Sequence, residues 1–169
     1  PRPYDYRQIR PFGPEKLRAY EIGFKTDFFD HRLRLNGDIF YMDYQGYQGI
    51  PRICLDANGN ELPANAGGIP GLCGQYLNIG DARVQGFELE ATVKPIDGLS
   101  IDAAVSLTDF EFTSINYPTT SIVVGAKRPG IGDWKWSAGI QYQVGLGSAG
   151  TLTPRLDVNY TDGYCGDFI

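Results

Sequence analysis

The sequence predicts an all-β chain: an antiparallel meander of six strands forming part of a larger transmembrane β-barrel. Three observations predict it. Apolar and polar residues alternate over six long segments, whereas the 3.6-residue spacing of an amphipathic helix fits almost nowhere. Each segment has about 10 to 13 residues, twice the common strand length of about 5 to 6 and enough for a tilted strand to cross a bilayer. The connections alternate short, long, short, long, short, so tight turns gather at one end of the sheet and long loops at the other, as in outer-membrane barrels.

The first strand, 17–29, places Tyr20, Ile22, Phe24 and Phe28 on one face and Glu21, Gly23, Lys25 and Asp27 on the other. Asp30 and His31 turn the chain into the second, 32–44, where Leu33, Leu35, Ile39 and Tyr41 oppose Arg34, Asn36, Asp38 and Tyr44; the pair reads as a hairpin. Residues 45–79, with Gly, Pro and Asn throughout, form the first long loop. The third strand, 82–94, sets Phe87, Leu89, Ala91 and Val93 against Gly86, Glu88, Glu90, Thr92 and Lys94. It ends in Pro95-Ile96-Asp97-Gly98, Asp-Gly being a strong two-residue hairpin signal. The fourth, 99–110, alternates Leu99, Ile101, Ala103, Val105 and Leu107 with Ser100, Asp102, Ser106 and Thr108, and opens into the second long loop, 111–133. The fifth, 134–144, sets Trp136, Ala138, Ile140, Tyr142 and Val144 against Lys135, Ser137, Gly139, Gln141 and Gln143. After the turn 145–150, the sixth, 151–161, alternates Leu152, Leu156, Val158 and Tyr160 with Thr153, Arg155, Asp157 and Asn159. Pro154 stands near its start, where a missing ladder donor is tolerated.

Composition excludes other classes. With 22 Gly and 11 Pro in 169 residues, turn punctuation is too dense for a helical bundle. A hydrophobic fraction of 42% argues against disorder. A net charge of -5 leaves no basic surplus for nucleic acid. No run approaches 18 apolar residues, which excludes a spanning helix. Mean hydropathy of -0.26 would ordinarily read as water-soluble, but in a barrel every second residue faces a wet lumen and the average hides the membrane face. Aromatics support that frame: Phe28 and Phe29 fall at the short-turn end, and Tyr41, Phe87, Trp134, Trp136 and Tyr160 toward the loops, as two interfacial girdles. The chain opens Pro1-Arg2-Pro3 without an initiator Met, the expectation for a mature product or an excised fragment. Six strands cannot close a membrane barrel, for which about eight is the smallest single-chain number. An open edge in lipid costs several kcal/mol per unpaired group. The chain is therefore expected to be a piece of a larger barrel, or one of several copies that pool their strands.

Two blocks carry a family resemblance. Pro14-Glu15-Lys16-Leu17 followed by Tyr20-Glu21-Ile22-Gly23-Phe24-Lys25, then Arg32-Leu33-Arg34-Leu35-Asn36 and Phe40-Tyr41-Met42-Asp43-Tyr44, form the first. Asn78-Ile79-Gly80-Asp81-Ala82-Arg83-Val84-Gln85-Gly86-Phe87-Glu88-Leu89-Glu90, closing in Pro95 and Gly98-Leu99, forms the second, with Trp136-Ser137 beginning a later strand. Together they resemble the barrel of TonB-dependent outer-membrane receptors over nearly the whole chain outside the loops. The resemblance implies a 22-stranded barrel in the outer membrane of a Gram-negative bacterium, contacting outer-membrane lipid, with 1–169 as a partial barrel. It also implies an N-terminal plug and import of a scarce nutrient such as a ferric siderophore, driven by the inner-membrane TonB complex. No plug, TonB-contacting segment or family-like aromatic C-terminus is visible in the sequence, so energised transport is implied by kinship alone. A passive pore assembled from several copies and a soluble β-sandwich binding module are the alternatives.

The chemistry-bearing residues point to binding. Cys54 and Cys73 share one loop and are expected to close a disulfide over about 19 residues, worth about 3 kcal/mol in an oxidising compartment. Cys165 follows the sixth strand, with its partner, if it has one, expected in a missing loop; three free thiols are the alternative. Asp56-Ala57-Asn58-Gly59-Asn60-Glu61 hints at a calcium loop, but its glycine comes a pair too early and Gly67 stands where the bidentate Glu is needed, so no metal site is expected. Glu88 and Glu90 share the lumen face with Lys25, Arg34 and Lys94, without a partner base, so neither catalytic residues nor a cofactor are expected. His31 is a solvated turn residue. By parity Tyr44, Glu88, Phe110 and Lys135 point inward near the outer mouth and are the expected ligand contacts. Arg2, Arg7 and Arg10, interleaved with Tyr4, Tyr6 and Phe12, belong to the preceding extracellular loop and suit an anionic ligand.

Overall fold

The computed structural model describes residues 11–50, 54–55, 61–62, 76–116, 123–127 and 132–163, with backbone alone at 54–55 and 61–62. In chain order the strands are β1 (Lys16–Phe28), β2 (Leu33–Gly49), β3 (Cys54–Leu55), β4 (Glu61–Leu62), β5 (Leu77–Val93), β6 (Leu99–Ile115), β7 (Trp134–Tyr142), β8 (Val144–Gly145), β9 (Thr151–Leu152) and β10 (Arg155–Thr161). One six-stranded sheet runs β1-β2-β5-β6-β7-β10, and β3-β4 and β8-β9 form separate two-stranded ladders. Every neighbouring pair of the large sheet is antiparallel. The expected meander is what forms, and the six long strands make one sheet rather than the two packed sheets of a soluble sandwich.

Register shows why. Directly opposed residues share a face of the sheet, and Phe28, Leu33, Val93, Ile101, Ile140 and Leu156 form one unbroken row across all six strands. One residue along, on the opposite face, the row reads Asp27, Arg34, Thr92, Asp102, Gly139 and Asp157. The apolar face is largely uncovered: Ile22 is 69% exposed and Leu156 64%. Aromatics bound it. Phe28 and Phe29 lie 6.3 Å apart at the short-turn end. Toward the loops Trp136 stacks on Tyr160 at 5.7 Å, and Phe87 meets Trp134 edge-on at 5.8 Å. Beyond Tyr20 and Tyr41 the same face turns ionic, with Arg18, Asp43, Arg83 and Glu111 opposed in alternating sign. Arg83 Nη2 pairs with Glu111 Oε1 at 2.8 Å. Charge at that level marks the end of the membrane band.

The buried core lies at the loop end. Ile79 and Phe112 are fully buried, with Leu77, Ala82, Phe110 and Ala126 around them and Tyr44, Tyr47, Val84 and Ile115 packed alongside. This corrects the loop boundaries. Residues 45–49 and 77–79, expected in the first loop, continue β2 and β5, and 111–115, expected in the second, continue β6. Simple alternation misses these extensions because the register shifts between Tyr44 and Gln48 and again between Asp81 and Ala82, and a bulge exchanges the faces of the residues beyond it. Where β6 has outrun β7, the segment 123–127 lies against it: Phe112 N–H donates to Ala126 O at 3.2 Å and Gly125 N–H to Phe112 O at 2.8 Å.

The short turns also differ in detail. Phe29, Asp30 and His31 all take left-handed φ, 53°, 52° and 64°, closed by Arg32 N–H donating to Phe29 O. Between β5 and β6 only Gly98 has positive φ, 85°, so the turn is not the two-residue Asp-Gly form, which needs both central residues left-handed. The expected strand 151–161 is split. Thr151–Leu152 pair with Val144–Gly145, and the main ladder resumes at Arg155, because Pro154 has no N–H to give; its carbonyl still accepts from Tyr142 N–H at 3.1 Å.

Candidate functional site

The polar face of the sheet is the face with chemistry on it. Near the short turns Arg34 Nε donates to Asp27 Oδ1 at 2.9 Å, and Asp27 also faces His31 Nδ1 at 3.3 Å. His31 itself is solvated, its side chain 79% exposed. Toward the opposite edge of the same face Arg155 reaches across β7 to grip Asp102 on β6, through Nη1 to Oδ1 at 2.9 Å and Nη2 to Oδ2 at 3.1 Å, while also holding Asp157. Gly139 makes that reach possible. A Cβ there would sit 2.4 Å from Arg155 Nη2 and 2.6 Å from Asp102 Oδ2.

Half-way up the strands the face is acidic and hollow. Asp38 and Glu88 are directly opposed across β2 and β5, and Glu90 accepts from Asn36 Nδ2 at 3.4 Å one step closer to the turns. Gly23 supplies no side chain, and a hollow of about 440 Å³ opens among Glu21, Lys25, Asp38, Glu88 and Glu90. A neighbouring hollow of about 330 Å³ lies where Ala104, Ser106 and Ser137 keep the wall low, with Glu88 and Glu90 on one side and Lys135 and Asn159 on the other. Glu88, Ser106 and Lys135 form one cross-strand row, so the acid and the amine stand about 10 Å apart at the backbone with a small residue between them. Such a wall presents separated charges and hydroxyls to a polar guest.

The four expected contact residues do share this face, but they divide into two pairs. Glu88 and Lys135 come together in the smaller hollow. Tyr44 and Phe110 belong to the aromatic core at the mouth. Tyr47 packs on both at 5.1 and 5.8 Å, and Phe110 meets Phe112 edge-on at 5.2 Å. Phe110 is only 4% exposed, so in this structure it packs the mouth instead of presenting a contact surface. Tyr44 donates its hydroxyl to Glu15 Oε2 at 2.9 Å. Cys54 stands in β3 as backbone only, and Cys73, Cys165 and the arginines at 2, 7 and 10 lie outside the described residues, as does most of the 56–61 segment. Among the described residues no three His, Cys, Asp or Glu side chains are grouped to hold a metal ion.

Reading by parity missed a second cluster at the mouth, where Glu15, Asn78 and Asp81 converge on the β2 bulge at Gly46. All three lie inside the blocks that carry the resemblance, so the residues were visible while their partners were not.

Comparison with known proteins agrees with the geometry. The family model described as TonB dependent receptor-like, beta-barrel matches residues 2–168. The probable TonB-dependent siderophore receptor PiuA of Acinetobacter baumannii is 30% identical over 100 residues, 59% of this chain and 11% of that protein. The solved structure of the siderophore receptor PiuA from Acinetobacter baumannii superposes with a TM-score of 0.52 at 23% identity, over 88% of this chain and 22% of that one. The FrpB iron transporter from Neisseria meningitidis (F3-3 variant) gives a TM-score of 0.52 at 20% identity, over 83% of this chain and 18% of that one. At such identities the two structures speak for the fold. The chain spans about a tenth of the curated relative and about a fifth of the solved chains.

Proposed function

Since this chain belongs to the TonB-dependent receptor β-barrel family, whose members are outer-membrane transport proteins and not enzymes, we propose that it forms part of the wall of an importer for a scarce nutrient chelate. A ferric siderophore is the substrate class we favour. TonB drives uptake, through a plug supplied by the rest of the protein. The observation that carries this reading is the charged, low-walled hollow between Glu88 and Lys135 on the polar face, together with relatives named as siderophore receptors and an iron transporter. A polar chelate in transit needs hydrogen-bond donors and acceptors that do not hold it too tightly, and a wall of spaced charges and hydroxyls offers them. Glu88 and Lys135 are the proposed wall contacts, Tyr44 and Phe110 shape the rim above them, and a Cys54–Cys73 disulfide braces the first long loop.

The test is iron uptake by the full-length protein. Expressed in an iron-starved host lacking its own receptors, it should accumulate labelled iron from a ferric tris-catecholate or a ferric tris-hydroxamate, and disabling TonB should abolish accumulation. Glu88→Gln with Lys135→Met should slow uptake with the amount of assembled receptor unchanged. Equal accumulation with and without TonB would favour a passive pore and overturn the proposal.

A further inference from the structure

The mouth cluster missed by sequence reading has a geometry that neither the membrane band nor the lumen wall explains. Gly46 sits at the β2 bulge with φ of +66°. Its N–H donates to Asp81 Oδ1 at 2.8 Å, and its carbonyl accepts from Asn78 Nδ2 at 2.6 Å. Asn78 does more than hold the bulge. Its Oδ1 accepts from Gly13 N–H at 2.6 Å, its Nδ2 also reaches Gly13 O at 3.1 Å, and its main-chain carbonyl accepts from Asn116 Nδ2 at 2.8 Å. The second oxygen of Asp81 accepts from Ser114 Oγ at 2.8 Å. Glu15 completes the set, taking Gln48 N–H on Oε1 at 2.7 Å and the Tyr44 hydroxyl on Oε2 at 2.9 Å.

These bonds gather where the β1–β2 ladder ends and the β2–β5 ladder is interrupted by the bulge. β1 pairs with β2 only as far as Lys16 opposite Gln45, and the β2–β5 register slips from Tyr44 to Gln48. There side chains supplement the ladder, and they join four stretches of chain: the approach to β1, the end of β2, the start of β5 and the end of β6. The last three stretches flank the connections at 50–76 and 116–133. We infer that Glu15, Asn78 and Asp81 are positioning residues that lace three bases, the approach to β1 at Gly13 and those of the connections at 50–76 and 116–133, into a single rigid body. This deepens the import reading above and rests on it for its purpose. Loops whose spacing is set before the guest arrives lose less entropy on binding it.

Hydrogen exchange on the full-length protein in detergent tests the lacing without any ligand. Asn78→Leu, similar in volume but without the amide, should cost about tenfold in protection at the amides of Gly13, Gly46, Tyr47 and Asn116 together, tenfold being about 1.4 kcal/mol. The mid-strand amides of Ile22 and Ile39 should not change. The milder Glu15→Gln should raise exchange at Gln48 and also at Asn116, which Glu15 does not touch. Loss confined to Gln48, or separate responses of the three bases in Asn78→Leu, would overturn the single-body inference. A second readout addresses purpose. With ferric tris-catecholate and ferric tris-hydroxamate as separate probes, Asn78→Leu should raise the half-saturating concentration for uptake severalfold at unchanged maximal rate. A fall in maximal rate alone would overturn the positioning role. If neither probe enters even the unaltered protein, the iron reading fails while the exchange result still decides the lacing.

Discussion

The membrane band and the mouth of this sheet are built on different physics. In the band, from the Phe28 row to Tyr20 and Tyr41, the apolar face is left open, and the strands are held by ladder hydrogen bonds and by the lipid that covers Ile22, Ile39 and Leu156. In the mouth the apolar residues turn inward on one another: Ile79 and Phe112 are wholly buried and Tyr47 touches both Phe110 and Phe112. The band depends on its solvent and the mouth carries its own dry core. One chain thus changes its source of stability along the length of β2, β5 and β6, so damage to the two regions should be separable.

The largest effect is expected at the mouth. Phe112→Ala removes the largest fully buried side chain among the described residues, a change that costs about 3–5 kcal/mol in a close-packed core. It should show as much faster proteolysis and hydrogen exchange at the outer ends of β2, β5 and β6 in the full-length protein, with the band's amides unaltered. If the band's protection fell equally, mouth and band would be one cooperative unit and the distinction would be wrong.

Next comes the band. Leu35 lies on the apolar face opposite Thr26 and Ala91, and Asn36, one residue on, lies on the polar face opposite Lys25 and Glu90. Leu35→Arg should cost about 2–4 kcal/mol near the middle of the bilayer, read as a lower unfolding midpoint or failed assembly in membranes. Asn36→Arg places the same charge beside Glu90 and should be almost silent. Equal effects would mean the two faces had been exchanged. This contrast was fully legible in the sequence, because alternation with period two needs no knowledge of partners. The mouth was not legible in that way. Gln45-Gly46 interrupts the alternation and looks like the start of a loop, and what carries β2 onward is the grip of Asp81 and Asn78, more than 30 residues away. Phe110 shows the same limit at the candidate site: parity gave its face correctly, but only the packing of Tyr47, Phe112 and Ala126 shows that it is covered. Glu88 and Lys135, in one cross-strand row with only Ser106 between them, could be placed on their face by counting alone.

Two glycines on the polar face sharpen the comparison at smaller cost. A Cβ at Gly86 would lie 2.0 Å from the carbonyl oxygen of Leu107 and 2.7 Å from the Phe40 ring. Backbone must move to admit it, so Gly86→Ala should destabilise by about 1–3 kcal/mol. At Gly139 the obstacles are the far ends of Arg155, Asp102 and Asp157, which can swing away into the lumen. Gly139→Ala should therefore leave the unfolding midpoint nearly unchanged while breaking the Arg155–Asp102 contact, visible in a structure of the variant. If Gly139→Ala proved the more damaging of the two, the Arg155 cluster would be a structural support of the wall rather than an ornament of its surface.

The smallest effect belongs to the latch that holds the second long loop to β6. Lys127 bonds the Asp109 carboxylate and lies 3.4 Å from Asp133. Burial works against the ammonium form, but the two carboxylates more than offset it and hold the Lys127 amine above the ordinary lysine range. A raised value means that the latch is fully present at neutral pH and is lost only as pH climbs through the alkaline range where the amine gives up its proton. Partly exposed ion pairs contribute little, so Lys127→Met should cost less than about 1 kcal/mol. The change should appear as faster exchange at Gly125 and Ala126, whose amides bond Phe112 O and Val123 O, and the unaltered protein should reproduce it in strongly alkaline buffer. The Phe112 core beneath should hold in both cases, since Ala126 is seated there by packing and not by charge. Release of the whole mouth by so weak a change would show that the latch, and not the dry core, keeps the loop in place.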